Sequence, residues 1–325
     1  MREKSVFLDQ FAPHFSRINE ELEKILDSNV SLISEVGRYS LLGGGKRLRA
    51  LFFILSCQLC NYNKKDIYTI SAIFECLHAA SLLHDDVLDN APTRRGKSSA
   101  NKIWGNSIAV LVGDFLFSRS SRILVEQKHV EFLKILADTA TRMTEGQMLE
   151  LINTNNWSIT KKEYTGIITS KTAALIAAAC ESGGIIAEAK KKNIQSLKNF
   201  GLNAGIAFQI VDDIFDYTST VEESGKPIGN DLREGKITLP LIYTLADLDR
   251  RERDGLENLF KHGKASERDY SRVIGLVKDN GAINKCRKDA ISYANLAETQ
   301  LSLFPNSPGK ESLLELNRFI VNRSY

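Results

Sequence analysis

Apolar residues recur at helical spacing through most of the chain, and two long segments are apolar on nearly every face. These segments are DIYTISAIFECLHAASLLHDDVLD (residues 66–89) and IQSLKNFGLNAGIAFQIVDDIFDY (residues 194–217). No proline occurs between Pro92 and Pro227, and long proline-free stretches with this spacing favour helices over short strands. Helices that are apolar all round are buried. The sequence therefore predicts an all-α fold with both segments as central helices.

Short polar segments separate the predicted helices, for example residues 90–101 and 218–236. None has the length or low complexity of an interdomain linker, and no repeat occurs at a fixed period. A chain of 325 residues can bury a substantial core. We therefore expect a single domain over residues 1–325.

The composition is that of a globular protein and argues against several partners. Hydrophobic residues make up 43% and charged residues 26%, and 43 basic residues against 40 acidic ones give a net charge of +3. Such a small net charge produces no strong overall electrostatic attraction for nucleic acid. No stretch reaches the roughly 18 apolar residues of a membrane span, and MREKSVFLDQFAPHF at the start lacks an apolar signal core. We expect a cytoplasmic protein without a transmembrane segment.

The chain has five cysteines, an odd number. Cys57 and Cys60 share a C-x-x-C spacing, but they lie in an apolar helical pattern without a second Cys or His pair nearby. We therefore expect buried thiols in a reducing compartment rather than a zinc site or a redox pair.

Two acidic motifs of the same type, HDDVLD and VDDIFD, end the two apolar segments. In the first motif Asp85 and Asp89 are four residues apart and share a helix face, and Asp212 and Asp216 do so in the second. Like charges about 6 Å apart repel by about 3 kcal/mol at an effective dielectric constant near 20, a cost that bound cations would offset. Carboxylate ligands suit Mg²⁺, whose coordination shell substrate phosphates and water complete. The motifs therefore predict Mg²⁺ together with a phosphorylated substrate.

The middle aspartates, Asp86 and Asp213, point about 100° away from the outer pair of each motif. We expect them to support the metal site through water or neighbouring side chains. The alternative is that each motif is only a group of solvated helix-end charges. The repetition of the motif favours the metal site.

Basic residues beside glycines or acidic motifs predict phosphate contacts. They are Lys46 and Arg49 in GGGKRLR, Arg94 and Arg95 after Pro92, Lys171, Lys226 and Lys236. GGGKRLR is not a Walker A loop, because Arg47 stands where Ser or Thr is required, but its backbone N–H groups and arginines can hold phosphate. Any one of these residues alone would more often be a solvated charge. We expect Arg94 and Arg95 to bind diphosphates rather than to pair with the aspartates.

Six motifs in a fixed order resemble those of the trans-type polyprenyl diphosphate synthases, most closely the octaprenyl diphosphate synthase branch. They are GGGKRLR, LLHDDVLDNAPTRRGK, GDFLF, SKTA, FQIVDDIFDY and GKPIGNDLREGKITLPL, and the resemblance covers roughly residues 20–320. It implies the isoprenoid synthase fold, a helical barrel around a deep apolar cavity, and a homodimer. It also implies that isopentenyl diphosphate is added head-to-tail to an allylic diphosphate such as farnesyl or geranylgeranyl diphosphate.

The resemblance implies a role for each matching position. Three Mg²⁺ ions would be bound by Asp85, Asp89 and Asp212, with support from Asp86, Asp213 and Asp216. The allylic diphosphate would be held by Arg94, Lys171, Lys226 and, less directly, Lys236. Isopentenyl diphosphate would be held by Lys46, Arg49, His78 and Arg95. The region where positive charge develops would be lined by Thr172 and Gln209.

His78 could equally be an ordinary core residue, as a lone His in an apolar helix usually is. It lies two turns before Asp85 on nearly the same helix face. This position favours the role in the site.

Product length should depend on the depth of the cavity below Asp85. Ala80 and Ser81 lie about one turn earlier in the helix and are small, whereas an aromatic ring there would close the cavity. Phe74, three turns down, is interpreted as core packing rather than as a floor. We therefore expect a long product, octaprenyl diphosphate by resemblance and a quinone side-chain precursor by analogy, with geranylgeranyl or heptaprenyl to decaprenyl products as alternatives.

Two other functions fit parts of the pattern. A class I terpene cyclase shares the fold and the metal chemistry but needs no pocket for isopentenyl diphosphate. A non-catalytic synthase subunit could dispense with the aspartates, whereas both motifs are complete in this chain. The synthase is therefore the better interpretation.

Overall fold

The computed structural model describes residues 7–220, 227–261 and 265–322, and helices dominate them. The helices are Ala12–Ile25 (α1), Ser31–Gly37 (α2), Leu48–Leu59 (α3), Ile67–Leu88 (α4), Ala100–Trp104 (α5), Asn106–Glu126 (α6), Val130–Ile152 (α7), Lys161–Ile168 (α8), Ala174–Ile186 (α9), Lys191–Thr218 (α10), Asn230–Arg233 (α11), Leu239–Asp247 (α12), Arg250–Lys261 (α13), Glu267–Asp279 (α14), Ala282–Gln300 (α15) and Pro308–Asn322 (α16). Shorter elements are the π-helical turns Arg38–Leu42 and Thr169–Ala173, the 3₁₀ turn Leu301–Leu303, and the antiparallel strands Thr93–Arg94 (β1) and Lys97–Ser98 (β2). The predicted all-α class is confirmed.

The first apolar segment forms α4, with Asp66 just before its first residue and Asp89 just after its last. Its 22 residues span about 33 Å at 1.5 Å per residue. By length and composition alone α4 could cross a membrane, but 72% of its most apolar window is buried inside the fold. We therefore interpret α4 as a core helix.

The second apolar segment lies in α10, which packs against α9 and α15. The helix α4 packs against α3 and α6, and α3 also packs against α9. The helices that end in the aspartate motifs are therefore fixed along their length by buried neighbours. The same packing fixes the positions of the two aspartate motifs near the C-terminal ends of these helices.

An aromatic cluster lies in the core beside the lower part of α4. The ring of Phe74 is fully buried, and its centroid lies 5.5 Å from that of Phe53 and 5.3 Å from that of Phe132. Aromatic pairs at such distances add about 0.5–1.5 kcal/mol beyond their buried area. The interpretation of Phe74 as core packing is confirmed.

All five cysteines are free thiols, and all except Cys60, which is half-buried, are buried. Burial raises the pKa of Cys60 to about 11 and the pKa values of Cys76 and Cys180 to about 12. These thiols are therefore protonated at neutral pH, and the nucleophilic thiolate form is scarce. The prediction of buried thiols is confirmed for four of the five.

Candidate active site

A cavity of about 960 Å³ is lined by the C-terminal ends of α4 and α10, by α7 and by the π-helical turn Thr169–Ala173. Both aspartate motifs reach it. The predicted site residues in its wall are Arg49, His78, Ser81, Asp85, Asp89, Arg94, Arg95, Lys171, Thr172, Gln209, Asp212, Asp213, Asp216 and Lys236. The fold thus gathers residues that are far apart in the sequence around one space.

Two predicted phosphate-binding lysines are not placed in this wall. Lys226 lies outside the described residues. Lys46 is exposed, and its Nζ atom lies 5.7 Å from the centroid of the Phe319 ring. A cation over an aromatic face is a favourable contact, and it holds Lys46 near the C-terminal helix α16 rather than in the cavity.

The two small residues expected below the first motif are placed differently. Ser81 lines the cavity, whereas Ala80 is buried among core side chains. The reason is helical phase, because Ser81 lies about 40° around the axis from Asp85 and Ala80 lies about 140° from it. The structure thus places one member of the predicted pair below the aspartates.

Asp86 lies on a different face of α4 from Asp85 and is 3% exposed. Its Oδ1 atom accepts a hydrogen bond from Arg94 Nε at 2.7 Å and lies 2.6 Å from Arg94 Nη2. The expectation that Arg94 does not pair with an aspartate was therefore wrong. The short hairpin of β1 and β2 carries Arg94 back to the middle aspartate, so that this guanidinium both lines the cavity and binds Asp86.

The glycine-rich loop before α3 holds the second arginine. The guanidinium of Arg95 donates a hydrogen bond to the carbonyl oxygen of Gly44. A Cβ atom at Gly45 would lie 3.1 Å from both terminal nitrogens of Arg95, and Gly45 has a φ of +120°, which disfavours side chains. GGGKRLR and TRRG therefore form one structural unit around Arg95.

A buried carboxylate from α4 fixes the start of α3. Glu75 is 5% exposed, and its Oε1 atom accepts the backbone N–H groups of Arg49 at 3.1 Å and of Ala50 at 3.2 Å. First-turn N–H groups lack partners within their own helix, so Glu75 caps α3 from outside. This contact sets the position from which the Arg49 side chain reaches the cavity.

Arg49 and His78 provide two different kinds of donor at this end of the cavity. Burial, and then the charges of Arg49 and Arg95, hold the pKa of His78 well below 6.5, so its imidazole is neutral at pH 7. The Nε atom of Arg49 is buried and has no hydrogen-bond partner among the described residues. An unsatisfied buried donor is costly, and a bound anion would satisfy it.

Lys171 and Lys236 stand between the first aspartate motif and Glu150. Lys171 Nζ lies 2.5 Å from Glu150 Oε2 and 4.0 Å from Asp85 Oδ2. Lys236 Nζ lies 2.9 Å from Asp89 Oδ2 and 3.9 Å from Glu150 Oε2. One carboxylate, that of Glu150, therefore contacts or approaches both lysines. Its role was not predicted from the sequence.

Close packing between α7 and the π-helical turn Thr169–Ala173 positions Lys171. A Cβ atom at Gly146 would lie 2.5 Å from the backbone nitrogen of Lys171 and 2.9 Å from Ser170 Cβ. Glu150 follows Gly146 by one helical turn. The signal that could have identified Glu150 is this glycine, because an isolated glycine in a helical pattern usually has a packing or functional reason.

The surrounding charges and burial shift the pKa values of Asp85 and Lys236. Burial raises the pKa of Asp85, Lys171 opposes the shift, and Asp89 and Glu150 add to it. Burial alone would lower the pKa of Lys236, but the surrounding carboxylates, first of all Glu150, outweigh it and raise that pKa. Lys236 is therefore charged at neutral pH, and burial and the neighbouring carboxylates make Asp85 harder to ionise.

A hydrogen-bonded chain connects the π-helical turn to the second motif. Thr172 Oγ1 donates to Gln209 Oε1 at 3.0 Å, and Gln209 Nε2 donates to Asp213 Oδ1 at 2.7 Å. Tyr164, which the sequence analysis also missed, donates its hydroxyl proton to Asp213 Oδ2 at 2.5 Å. Burial raises the pKa of Asp213 to about 7, although both hydrogen bonds oppose this shift. The chain fixes which end of the Gln209 amide faces Thr172.

The outer aspartates of the second motif have different surroundings. Asp212 lines the cavity. Asp216 also lines it, and its two carboxylate oxygens accept the backbone N–H groups of Asn230 and Asp231, both at 3.1 Å. Asp216 therefore anchors the segment that leads from α11 to Lys236.

The carboxylates fit Mg²⁺ that arrives with a phosphorylated ligand. Within the described ranges, no group of three His, Cys, Asp or Glu side chains already converges as for a metal ion. The donors that face the cavity from opposite helices are Asp85 and Asp89 on one side and Asp212 on the other. Mg²⁺ usually takes one or two protein carboxylates and completes its octahedron with phosphate oxygens and water. The donor set matches this pattern.

Apolar side chains form part of the remaining wall of the cavity. It includes Leu82, Met143, Ile168, Leu175 and Phe208. Such a wall binds hydrocarbon and disfavours water. The cavity therefore combines a charged end with a surface suited to an apolar chain.

Comparison with known proteins agrees with this chemistry. The polyprenyl synthetase family model matches residues 30–277. The octaprenyl diphosphate synthase of Escherichia coli (strain K12) is 33% identical over 312 residues, covering 96% of each chain. The all-trans-nonaprenyl-diphosphate synthase (geranyl-diphosphate specific) of Rhodobacter capsulatus is 35% identical, covering 98% of each chain. A solved polyprenyl synthase from Caulobacter crescentus CB15, complexed with calcium and isoprenyl diphosphate, superimposes with a TM-score of 0.93 at 35% identity, covering 98% of each chain. The resemblance in the motifs is thereby confirmed, and the chain belongs to the polyprenyl synthetase family of Mg²⁺-dependent trans-prenyltransferases.

Proposed function

We propose that the chain adds isopentenyl diphosphate units head-to-tail to farnesyl or geranylgeranyl diphosphate and releases octaprenyl diphosphate. The proposal rests mainly on one observation: both aspartate motifs, basic side chains and apolar side chains line the same cavity. The reaction needs charge for the departing diphosphate, a second diphosphate site for the incoming unit, and a dry surface for the growing chain.

The allylic diphosphate would bind at the end of the cavity that holds Lys171, Lys236 and Arg94. Lys226, outside the described residues, would add a further contact. Mg²⁺, proposed as three ions on Asp85, Asp89 and Asp212, supplies when bound positive charge that stabilises the departing diphosphate. The lysines and the arginine hold that diphosphate by charge-assisted hydrogen bonds while the allylic C–O bond breaks.

Isopentenyl diphosphate would bind to Arg49, His78 and Arg95. The neutral imidazole of His78 can donate a hydrogen bond without adding a third positive charge beside the two arginines. Lys46 would join this site only after its side chain leaves the ring of Phe319. This placement would direct the isopentenyl double bond toward the allylic carbon.

Thr172 and Gln209 would face the region of developing positive charge. Thr172 uses its proton on Gln209, so the lone pairs of its oxygen are left for the cation. Asp213 and Tyr164 hold the Gln209 amide in this orientation. The apolar wall excludes water, which would otherwise quench the cation, and proton loss then gives an allylic diphosphate one isoprene longer.

The proposed octaprenyl length rests on the small side chain of Ser81 below the aspartates and on the sequence similarity. The two relatives described above carry octaprenyl and nonaprenyl names. Geranylgeranyl or heptaprenyl to decaprenyl products are the alternatives that a product analysis would reveal. The precursor of a quinone side chain would have such a length.

A direct assay tests the proposed function. The purified protein is incubated with Mg²⁺, radiolabelled isopentenyl diphosphate and either farnesyl or geranylgeranyl diphosphate, and the dephosphorylated products are sized by chromatography. We expect a long-chain product with a maximum at eight isoprene units and no product when EDTA replaces Mg²⁺. A protein that incorporates no label with either primer would refute the proposal, whereas a different maximum would change only the chain length.

We further propose that the protein is a homodimer joined through α6 and α7. These helices expose Leu111, Val125, Met148 and Ile152, with exposed fractions of 55–70%, and burial of such side chains would favour association. Analytical ultracentrifugation should show a dimer that Ile152→Asp dissociates. The control Ile291→Asp, at a residue 49% exposed on α15, should leave the dimer intact, and a wild-type monomer at micromolar concentration would refute the proposal.

We also propose a cytoplasmic location. The free state of all five cysteines fits a reducing compartment. Fractionation of cells that express the tagged protein should recover it with cytoplasmic markers. Its recovery with secreted proteins would contradict this proposal.

A further inference from the structure

Glu150 lies where a negatively charged ligand would be expected to contact both lysines. Its Oε2 atom is 2.5 Å from Lys171 Nζ and 3.9 Å from Lys236 Nζ. The side chain lines the cavity and is 21% exposed, so a ligand can reach it. A single carboxylate oxygen is therefore shared by the two cationic groups proposed to bind the allylic diphosphate.

The backbone that carries Glu150 is closely packed, and the two lysines carry their charges on long side chains. Glu150 is held in α7, whose close packing on the π-helical turn passes through Gly146. Lysine carries its charge on a flexible four-carbon chain with three donors. Lys171 and Lys236 can therefore turn from Glu150 to a phosphate oxygen without movement of a helix.

Carboxylates surround both lysines. Lys171 contacts Glu150 and lies near Asp85, and Lys236 contacts Asp89 and lies near Glu150. Lys236 also lies 2.7 Å from Glu234. A metal-free diphosphate entering this end of the cavity would meet these four carboxylates beside the two ammonium groups.

We propose that Glu150 is an internal competitor for diphosphate, which occupies Lys171 and Lys236 until a metal-bound diphosphate displaces it. This inference rests on the proposed function, in which both lysines bind the allylic diphosphate. Glu150 thereby makes diphosphate binding depend on the metal. A diphosphate without metal must displace Glu150 from the lysines and is then repelled by the nearby carboxylate. A diphosphate that carries Mg²⁺ brings positive charge that offsets this repulsion. Glu150 is a positioning residue, because it acts through the lysines.

The test is the affinity of inorganic diphosphate for the full-length protein, measured by isothermal titration calorimetry in EDTA and again in Mg²⁺. Glu150→Gln removes the charge at nearly constant size. In EDTA we expect Glu150→Gln to bind diphosphate about tenfold more tightly than wild type, the scale of one partly screened charge contact. In Mg²⁺ we expect a smaller gain, so the ratio of affinities with and without metal falls.

Glu145→Gln is the matched control, because Glu145 is an exposed glutamate on the same helix. It makes the same change in net charge and should alter the EDTA affinity less than twofold. Glu150→Ser removes the charge with a smaller side chain and should change the affinity in the same direction as Glu150→Gln. Circular dichroism confirms that each variant is folded.

The inference is overturned when folded Glu150→Gln and Glu150→Ser bind metal-free diphosphate no more tightly than wild type. A purely structural role for Glu150 predicts such a result, since loss of packing would not raise an affinity. Lys171→Gln separates this outcome from failure of the proposed allylic diphosphate site. If Lys171→Gln binds diphosphate in Mg²⁺ as well as wild type does, that site assignment fails and the inference fails with it, whereas label incorporation alone decides the proposed function. If it loses binding while the Glu150 variants are unchanged, only the inference fails.

Discussion

Replacement of Gly146 by alanine should damage the site from a position that contacts no substrate. The added Cβ atom would lie 2.5 Å from the backbone nitrogen of Lys171, 3.0 Å from its Cα atom and 2.9 Å from Ser170 Cβ. Two of these atoms belong to the backbone, so no side-chain rotation can relieve the contact. The helix α7 and the π-helical turn would have to separate by about 1 Å to reach ordinary van der Waals distance.

Two opposing effects set the size of the change in stability. Overpacking of a fitted interface costs about 1–3 kcal/mol. Alanine returns up to about 1 kcal/mol relative to glycine inside a helix. Because the contact involves backbone atoms, we expect overpacking to outweigh the gain in helix propensity and to lower the free energy of unfolding by about 1–2 kcal/mol. A displacement of Lys171 by about 1 Å should also lower kcat/KM on the order of 100-fold.

Gly166→Ala is the matched control for Gly146→Ala. Gly166 lies in α8, and a Cβ atom placed there meets nothing within 4 Å. This variant should gain about 0.5–1 kcal/mol from helix propensity and keep full activity. Urea unfolding followed by circular dichroism gives the stabilities, and incorporation of labelled isopentenyl diphosphate gives kcat/KM.

The reasoning fails if Gly146→Ala is as stable as wild type and its kcat/KM lies within about twofold of the wild-type value, a difference of about 0.4 kcal/mol. That result would mean that α7 and the π-helical turn separate without cost and that Lys171 tolerates the shift. A loss of stability with full activity would refute only the claim that Gly146 positions Lys171.

Three further changes test other parts of the site. Ser81→Phe should shorten the products in the chromatographic assay and Ser81→Ala should not; an unchanged length distribution with Ser81→Phe would refute the depth argument. Burial raises the pKa of Asp85, so the native protein holds this proton more tightly than the unfolded chain does. The free energy of unfolding therefore falls as pH rises through the raised pKa and Asp85 ionises. Asp85→Asn should therefore raise the metal-free free energy of unfolding at pH 7 while lowering kcat by on the order of 100-fold or more; a loss of stability or wild-type turnover would contradict this. The pKa of His78 lies well below 6.5, so the unfolded chain takes up the proton first and stability is lost as pH falls below 6.5. His78→Gln should flatten this fall in urea unfolding at several pH values, and an unchanged slope would show that His78 does not cause it.

The helical spacing of apolar residues was sufficient to predict the all-α class and the position of α4. The apolar segment over residues 66–89 became α4 with both ends within one residue, because its pattern and its terminal aspartates are local features. The same periodicity could have separated Ser81 from Ala80, since the two differ by about 100° around the axis. Small size and nearness to Asp85 are common to both residues, so only the helical phase distinguishes them.

The missed features depend on contacts between distant parts of the chain. Glu150 looks like any glutamate of a partly exposed helix until the fold brings Lys171 and Lys236 beside it. The ion pair of Arg94 with Asp86 depends on a two-residue hairpin that has no strong strand pattern. Neither contact follows from spacing along a helix, and both required the three-dimensional structure.

The π-helical turn Thr169–Ala173 constrains how this region can diverge. A π turn contains one residue more than an α turn, so deletion of one residue from Thr169–Ala173 would convert it into an α turn and leave the helices on both sides nearly in register. The deletion would instead remove or reorient Lys171 or Thr172, because both side chains belong to the turn itself. Among functional descendants of this chain, residues 169–173 should therefore keep their number, although the packing of the helices alone would tolerate the loss of one residue.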